Sequence, residues 1–198
     1  MVNTATPTAD SRRRGTRTIL AVDDSRTNLH VIGGRLGAMG YMVVLAQSGR
    51  EALDLISGRG FDLVLLDMVM PGMSGLDTLT EIRTAPDTAD LPVIMITALD
   101  DSRGAVDALA AGADDHLAKP FDFDVLHARI ERTLDRAGRI SELKRTVASL
   151  DARIAARAIE LGETRSELAV SRADRARLLG SIDALSARVE RLSGTSAA

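Results

Sequence analysis

Side chains able to do chemistry stand at four separate places in the chain: Asp23 and Asp24, Asp67, Thr97, and Lys119. Each place follows a short run, in order TILAV, FDLVLL, PVIMI and DDHLA, and the first three of these runs are largely apolar. Such runs, bounded by turn residues, predict buried strands. Because ligands bind at the carboxyl ends of the strands in an open parallel sheet, we expect three carboxylates, a hydroxyl and an ammonium group to meet at one edge.

This set of groups suits the transfer of a phosphoryl group to a carboxylate. That reaction brings two anions together, and a divalent cation between them relieves the repulsion. Mg²⁺ prefers oxygen ligands and is often held by one or two carboxylates together with phosphate oxygens. We expect Asp24 and Asp67 to bind Mg²⁺ directly and Asp23 to hold a coordinated water. The backbone carbonyl of Val69 is a further expected ligand.

The remaining groups would serve the reaction itself. Asp67, at the end of its strand, can attack phosphorus in line. Lys119 supplies a fixed positive charge for phosphate oxygens, and Thr97 supplies a hydroxyl donor. Positioning and electrostatic stabilisation of this kind are what phosphoryl transfer requires. Each feature alone is common in ordinary loops and turns, so the prediction depends on their order and on their shared place at strand ends.

The elements that must position these groups follow from the alternation of apolar runs with segments of helical period. This alternation predicts βα units around a doubly wound parallel sheet. The expected strands cover residues 18–22, 41–46, 61–66, 92–96 and 114–118. The expected helices cover residues 26–38, 48–58, 75–83 and 101–111, and a fifth begins near 122.

The rest of the chain follows a different pattern, a seven-residue repeat that begins at Ile140. Its two apolar positions form what we call the seam. The first set is Ile140, Val147, Ile154, Leu161, Leu168, Ile182 and Val189, and the second is Leu143, Leu150, Leu178, Leu185 and Leu192. β-Branched residues in one set with Leu in the other favour a parallel two-stranded coiled coil. From 140 to 192 such a helix would extend about 80 Å.

The centre of the seam is polar. Arg157, Thr164, Ser171 and Arg175 occupy seam positions there, and Gly162 lowers the helix propensity nearby. Such a centre either sets the register of the two helices or frays and switches. The alternative is a long solvated helix that stays monomeric.

Composition excludes several classes of function. The chain has no Cys, which excludes disulfides, thiolate metal sites and cysteine nucleophiles. Aromatic residues make up 2% of it, so base-stacking nucleic-acid modules are not expected. Arg residues near the end alternate with Glu and Asp, as on a solvated helix face. With no apolar signal segment after the early Arg residues, we expect a cytoplasmic protein without a nucleic-acid or membrane partner.

Four motifs together resemble the receiver domain of bacterial two-component response regulators: ILAVDDSRTN, LVLLDMVMPGMSG, PVIMITAL and GADDHLAKPF. The resemblance covers about residues 17–137. It implies a flavodoxin-like sheet of five parallel strands in the order 2-1-3-4-5. It also implies Mg²⁺ as cofactor and a phosphohistidine, on a histidine kinase or phosphotransfer protein, as phosphoryl donor.

The resemblance also implies a role for each site residue. Asp67 would be the phosphoacceptor, and Asp23 and Asp24 the acidic metal pair. Thr97 would be the switch hydroxyl and Lys119 the lysine typical of the family. The family also typically has a cis peptide bond at the position of Lys119–Pro120. These roles include no enzymatic activity beyond the chain's own phosphorylation and dephosphorylation.

Three positions bear on how this receiver would differ from its family. His116 stands where the family usually has a switch Tyr or Phe, and an imidazole is smaller and can titrate near neutral pH. A His that faces outward and has no switching role is the alternative. Val69 and Leu99 lie two residues after Asp67 and Thr97, where apolar side chains cannot orient an attacking water. We therefore expect a fairly long-lived phosphoryl group.

The predicted organisation is a disordered leader over 1–16, a receiver domain over 17–137, a coiled-coil helix over 138–192 and a disordered tail over 193–198. In the main hypothesis the chain is a homodimer that signals through the coiled coil to a protein partner. A second hypothesis makes it the regulatory half of a larger enzyme such as a diguanylate or adenylate cyclase. It draws on ITALDD and ARIERTL, similar to receivers of diguanylate cyclase regulators, and on ARIAARAIELGETRSEL, which resembles helices that link receivers to such enzymes. A third makes it a phosphate sink without an output.

Overall fold

The computed structural model describes residues 15–98 and 102–194, with the backbone alone for Ser102 and residues 189–194. Five strands and five helices alternate along it. The strands are β1 (Thr18–Val22), β2 (Met42–Ala46), β3 (Leu63–Asp67), β4 (Val93–Ala98) and β5 (Asp115–Lys119). The helices are α1 (Arg26–Ala38), α2 (Gly49–Gly58), α3 (Gly75–Thr84), α4 (Ser102–Ala110) and α5 (Phe123–Gly194). The predicted leader and tail lie mostly outside the described residues.

The strands form one parallel sheet in the order β2-β1-β3-β4-β5. The expected fold class and strand order are therefore confirmed. The order reverses between β1 and β3, which are neighbours although β2 comes between them in the chain. This is the point at which open α/β sheets bind ligands.

Both faces of the sheet are covered by helices, and each covered face has its own apolar core. Leu20, Leu66 and Met95 point to the face that carries α2, α3 and α4. Leu65 and Ile96 point to the face where residues from α1 and from the first turns of α5 pack. Strands buried on both faces have continuous apolar runs rather than alternating ones. This explains why short uninterrupted runs located β1, β3 and β4 in the sequence.

Three strands extend further than the sequence indicated. β3 ends at Asp67, β4 at Ala98 and β5 at Lys119, each one or two residues beyond the predicted limit. The ladder continues because Asp67 pairs with Ile96, and the Met68 amide then donates to the Ile96 carbonyl at 2.9 Å. The polar site residues on these strands are thus held by the ladder itself and are not the first residues of loops.

The chain divides into two compact units, Met1–Ser141 and Glu142–Ala198. The helix α5 begins in the first unit and ends in the second. In the second unit every described side chain, through residue 188, is exposed. The side chains of Val189 and Leu192, two predicted seam residues, lie outside the described part. The predicted domain bounds remain predictions.

Within the part of the chain that the structure describes, no helix combines the length and the apolar character needed to cross a membrane.

Candidate functional site

Asp23 and Asp67 lie side by side because the sheet aligns their strands. Val22, the last residue of β1, pairs with Leu66 of β3, and one aspartate follows each member of this pair. Asp24 comes next in the chain and is exposed. One carboxylate oxygen from each of the three aspartates lies within 4.8 Å of the others. Carboxylate oxygens are the ligands that Mg²⁺ prefers, so this donor set fits a divalent cation.

Lys119 reaches the same place from the far edge of the sheet. It is the last residue of β5 and pairs in register with Ala98 of β4. Its Nζ lies 2.8 Å from Asp23 Oδ2 and 3.0 Å from Asp67 Oδ1. One ammonium group therefore contacts two carboxylates. The peptide bond between Lys119 and Pro120 is cis.

Asp23 is the most deeply held of the three carboxylates, with a side chain that is 1% exposed. The Asn28 side-chain amide donates to both of its oxygens at 3.1 Å, and the Ser25 amide donates to Oδ1 at 2.8 Å. Lys119 Nζ adds a third donor, which Asp23 shares with Asp67. A buried charge without such partners would strongly destabilise the fold.

Ser25 and Asn28 are site residues that the sequence analysis missed. Ser25 caps the N-terminus of α1, and its hydroxyl accepts a hydrogen bond from the Asn28 backbone amide at 3.4 Å. The same turn thus begins the helix and directs the Asn28 side chain at Asp23. The signal was present, because a Ser two residues after Asp23, at the start of an apolar periodic segment, is a helix-cap pattern.

The two groups at the centre of the site respond differently to burial. Burial raises the pKa of the Asp67 carboxyl; Lys119 opposes this shift, and the negative charges of Asp23 and Asp24 add to it. Burial lowers the pKa of Lys119, but hydrogen bonds to Asp23 and Asp67 and their charges outweigh burial, so the net shift is upward. Lys119 therefore stays charged, whereas ionised Asp67 lies in a place that disfavours its charge.

A glycine lets helix α3 begin directly against the end of strand β3, next to Asp67. A Cβ on Gly75 would lie 2.1 Å from the Asp67 carbonyl oxygen, closer than any side chain permits. The Gly75 amide donates to the Met68 carbonyl at 3.0 Å. Ser74 caps the helix and forms a capping box with Asp77. This turn fixes the backbone immediately after Asp67.

The other predicted site residues lie as follows. Thr97 is buried near the end of β4 and pairs in register with Ala118, one residue before Lys119. Val69 is 69% exposed. His116 is partly buried on β5 and pairs with Met95. Leu99 lies outside the described residues. The switch roles of Thr97 and His116 and the ligand role of the Val69 carbonyl stay predictions.

Comparison with known proteins agrees with this geometry. A family model described as the response regulator receiver domain matches residues 19–131. The chain is 45% identical over 118 residues to the response regulator MprA of Mycolicibacterium vanbaalenii. It is 44% identical over 116 residues to the transcriptional regulatory protein ZraR of Escherichia coli O157:H7. These matches cover 60% and 59% of this chain but only 50% of MprA and 26% of ZraR, so the chain spans half or less of these relatives.

Among solved structures, the chain is similar to the response regulator protein TrrA from Thermotoga maritima, crystallised in complex with Mg²⁺ and BeF. The TM-score is 0.54 at 34% identity, over 60% of this chain and 99% of that chain. Receiver domains typically bind Mg²⁺ through an acidic pocket, and here Asp23, Asp24 and Asp67 form that pocket. The sheet order, the acidic pocket and the family match over residues 19–131 together show that this chain belongs to the response regulator receiver domain family of two-component systems.

Proposed function

We propose that Asp67 accepts a phosphoryl group from a phosphohistidine on a histidine kinase or phosphotransfer protein. The observation that carries this proposal is the contact of one ammonium, Lys119 Nζ, with both Asp23 and Asp67 at 2.8 and 3.0 Å. A fixed positive charge thus contacts the acceptor carboxylate and a second carboxylate beside it. Positioning and charge compensation are the main contributions that proteins make to phosphoryl transfer.

In the proposed step an Asp67 carboxylate oxygen attacks the phosphorus of the donor phosphohistidine in line. A phosphorus–oxygen bond forms, the phosphorus–nitrogen bond breaks, and the leaving imidazole nitrogen takes up a proton. Lys119 donates hydrogen bonds to the phosphoryl oxygens, and Thr97, buried near the end of β4, supplies a hydroxyl donor. We infer no enzymatic activity beyond the chain's own phosphorylation and dephosphorylation.

Asp23, Asp24 and Asp67 would hold Mg²⁺, with the Val69 carbonyl as a further ligand. When bound, the cation neutralises charge that the carboxylates and the phosphoryl group bring together. The Mg²⁺–BeF complex of TrrA supports this assignment by similarity. Ser25 and Asn28 hold Asp23 in place by hydrogen bonds for this role.

For output, we infer that the seam of α5 pairs two copies of the chain and presents a surface to a partner protein. The exposed apolar side chains of residues 140–185 support this inference. Phosphorylation would act through Thr97 and His116. Val69, two residues after Asp67, has an apolar side chain that cannot orient an attacking water, which supports a phosphoryl group that water removes slowly.

Control of transcription is a second candidate output, because the relative ZraR is a transcriptional regulatory protein. Binding of the phosphorylated chain to DNA, measured by gel mobility at more than one salt concentration, would favour it. The absence of binding would leave the protein partner as the better account.

Intact-protein mass spectrometry tests the acceptor assignment. The full chain is incubated with Mg²⁺ and acetyl phosphate, with Asp67→Asn as the variant and Asp62→Asn as a matched control on the same segment. We expect one added phosphoryl group, lost with hydroxylamine as an acyl phosphate would be, in the wild type and the control only. A phosphoryl group that persists in Asp67→Asn would refute the assignment.

A further inference from the structure

From Ile140 onward, helix α5 presents a long apolar stripe to solvent. Ten seam side chains that the structure describes, from Ile140 to Leu185, are 43–67% exposed. An apolar surface that repeats every seven residues fits another helix with the same repeat. A second copy of this chain carries that repeat with the same length and spacing.

The apolar residues alone do not choose the direction of the second copy. In a parallel pair aligned in register, each seam residue meets its own counterpart. In an antiparallel pair that places Ile140 opposite Leu192, Ile154 meets Leu178 and Arg157 meets Arg175. At both ends of the seam, apolar residues meet apolar residues in either direction. The charged residues beside the polar centre therefore decide between parallel and antiparallel pairing.

Those charges favour the parallel pair. In a parallel coiled coil the residue just before a first-set seam position faces the residue five places later on the other helix. Glu160 would then face Arg165 of the second copy, and Glu167 would face Arg172 of the second copy. Each contact occurs twice by symmetry, and all four join opposite charges.

The antiparallel pair reverses this result. There, a residue just before a first-set seam position faces another such residue on the second helix. A residue just after a second-set position likewise faces another residue of that kind. Glu160 would face Asp174 of the second copy, while Glu167 and Arg165 would each face their own counterparts. All of these contacts join like charges, which destabilise a helix pair.

We propose that residues 140–192 pair with a second copy of this chain, parallel and in register, and that ion pairs from Glu160 to Arg165 and from Glu167 to Arg172 between the copies secure the polar centre. Within one helix, Arg157 Nη1 lies 3.2 Å from Glu160 Oε2. Both side chains are well exposed, at 79% and 67%, so this contact is weak and leaves Glu160 available.

The inference rests on the dimer in the proposed output and adds its direction and contacts. It is independent of the acceptor site. A chain that takes up a phosphoryl group on Asp67 but fails the tests below would refute the pairing and leave the acceptor assignment intact.

A single charge reversal distinguishes the two directions by the sign of its effect. Glu160→Arg in the full chain turns two attractive contacts into repulsive ones in the parallel pair, but relieves repulsion from Asp174 in the antiparallel pair. Glu163→Arg makes the same change at a position away from the seam and is the control. We expect Glu160→Arg to raise the dimer dissociation constant at least about tenfold relative to the control, as measured by analytical ultracentrifugation at low salt. An unchanged or tighter dimer would overturn the proposal.

Combining the reversed variants tests the contacts themselves. Glu160→Arg/Glu167→Arg and Arg165→Glu/Arg172→Glu each place like charges in the parallel contacts, whereas a mixed dimer restores opposite charges in all four. We expect the mixture to dimerise more tightly than either variant alone. Mixed dimers no tighter than the two homodimers would contradict the ion pairs.

Cysteine cross-linking tests the register directly, since the chain has no Cys. Leu178→Cys places two sulfurs opposite each other only in the parallel, in-register pair. We expect this variant to form a covalent dimer under mild oxidation, with no excess cross-linking when Ile154→Cys is mixed with it. Preferential cross-linking between Ile154→Cys and Leu178→Cys, or a chain that stays monomeric both with and without Mg²⁺ and beryllofluoride, would overturn the proposal.

Discussion

Residues of the same types are buried in the first unit of this protein and exposed in the second. In the first unit, Lys119 and Asp23 form an ion pair in which the aspartate side chain is 1% exposed. In the second, Arg157 and Glu160 form an ion pair in which both side chains are more than half exposed. The same contrast holds for apolar residues: Leu126 on α5 is fully buried, and Leu178 on the same helix is 65% exposed.

This contrast shows that a regular apolar pattern along a helix stabilises a protein only where another surface covers it. The first turns of α5 pack against a core that the chain itself supplies. Beyond residue 141 the described side chains have an equally regular apolar pattern, but none of them is buried. The free energy of burying that seam becomes available only when another surface covers it. The first unit therefore supplies its own apolar core, whereas none of the described seam side chains in the second unit is covered.

The largest expected effect comes from truncating the same residue type in the two units. Leu126→Ala leaves a cavity in the core, and we expect it to lower the free energy of unfolding by about 2–5 kcal/mol at any protein concentration. Leu178→Ala should leave the first unit unchanged and weaken only the association of the second. Chemical denaturation at two protein concentrations checks this. A loss for Leu178→Ala that does not depend on concentration would contradict the contrast.

The next effect concerns the two ion pairs. Lys119→Met leaves two buried carboxylates without their ammonium, and we expect a loss of about 1–3 kcal/mol in the free energy of unfolding without Mg²⁺. Arg157→Met, at the exposed pair, should cost less than about 1 kcal/mol. Denaturation midpoints for both variants measure the difference. Equal losses would mean that burial does not decide the strength of these contacts.

Glycines offer a third comparison. Gly75→Ala puts a methyl group 2.1 Å from the Asp67 carbonyl oxygen, so we expect a loss of at least about 1–3 kcal/mol and slower phosphorylation. Gly162→Ala meets no neighbour within 4 Å and should stabilise the helix by roughly 1 kcal/mol. Circular dichroism during thermal unfolding follows both. Two changes of the same sign would show that the close contact at Gly75 has little effect.

The smallest effect is the pH dependence of the cap on α3. Hydrogen bonds from the Ser74 hydroxyl and amide hold the pKa of Asp77 below its usual value. A lowered pKa in the folded state means that this carboxylate stabilises the fold above the unfolded pKa, and that the contribution is lost as the pH falls through the folded value. We expect Asp77→Asn to lower the melting temperature at neutral pH and to match the wild type in acid. Asp151→Asn, in the second unit, is the control.

How far the site could be predicted depended on what positions each residue. The order of the strand runs was sufficient to predict that Asp23, Asp67 and Lys119 lie at one edge of the sheet, because a parallel sheet aligns the ends of its strands. The contacts of Asn28 were missed, since they depend on the turn that caps α1 and not on a strand end. The ends of β3 to β5 were misplaced because ladder hydrogen bonds continue through polar residues.

The second unit was predictable in a different sense. Its seven-residue repeat predicted a long helix, and α5 extends from Phe123 to Gly194. Whether that helix pairs, and in which direction, depends on a second chain. Charged residues on both sides of the seam favour one direction of pairing, but only an alignment of two copies shows this. They are Glu160, Arg165, Glu167 and Arg172.

The solution mass of the full chain tests most directly the claim that the second unit depends on a partner copy. Light scattering would be recorded over a range of protein concentrations, with and without Mg²⁺ and beryllofluoride. The account predicts twice the chain mass of 21.0 kDa, in both states or in the beryllofluoride state alone. A mass of one chain at every concentration in both states would contradict it.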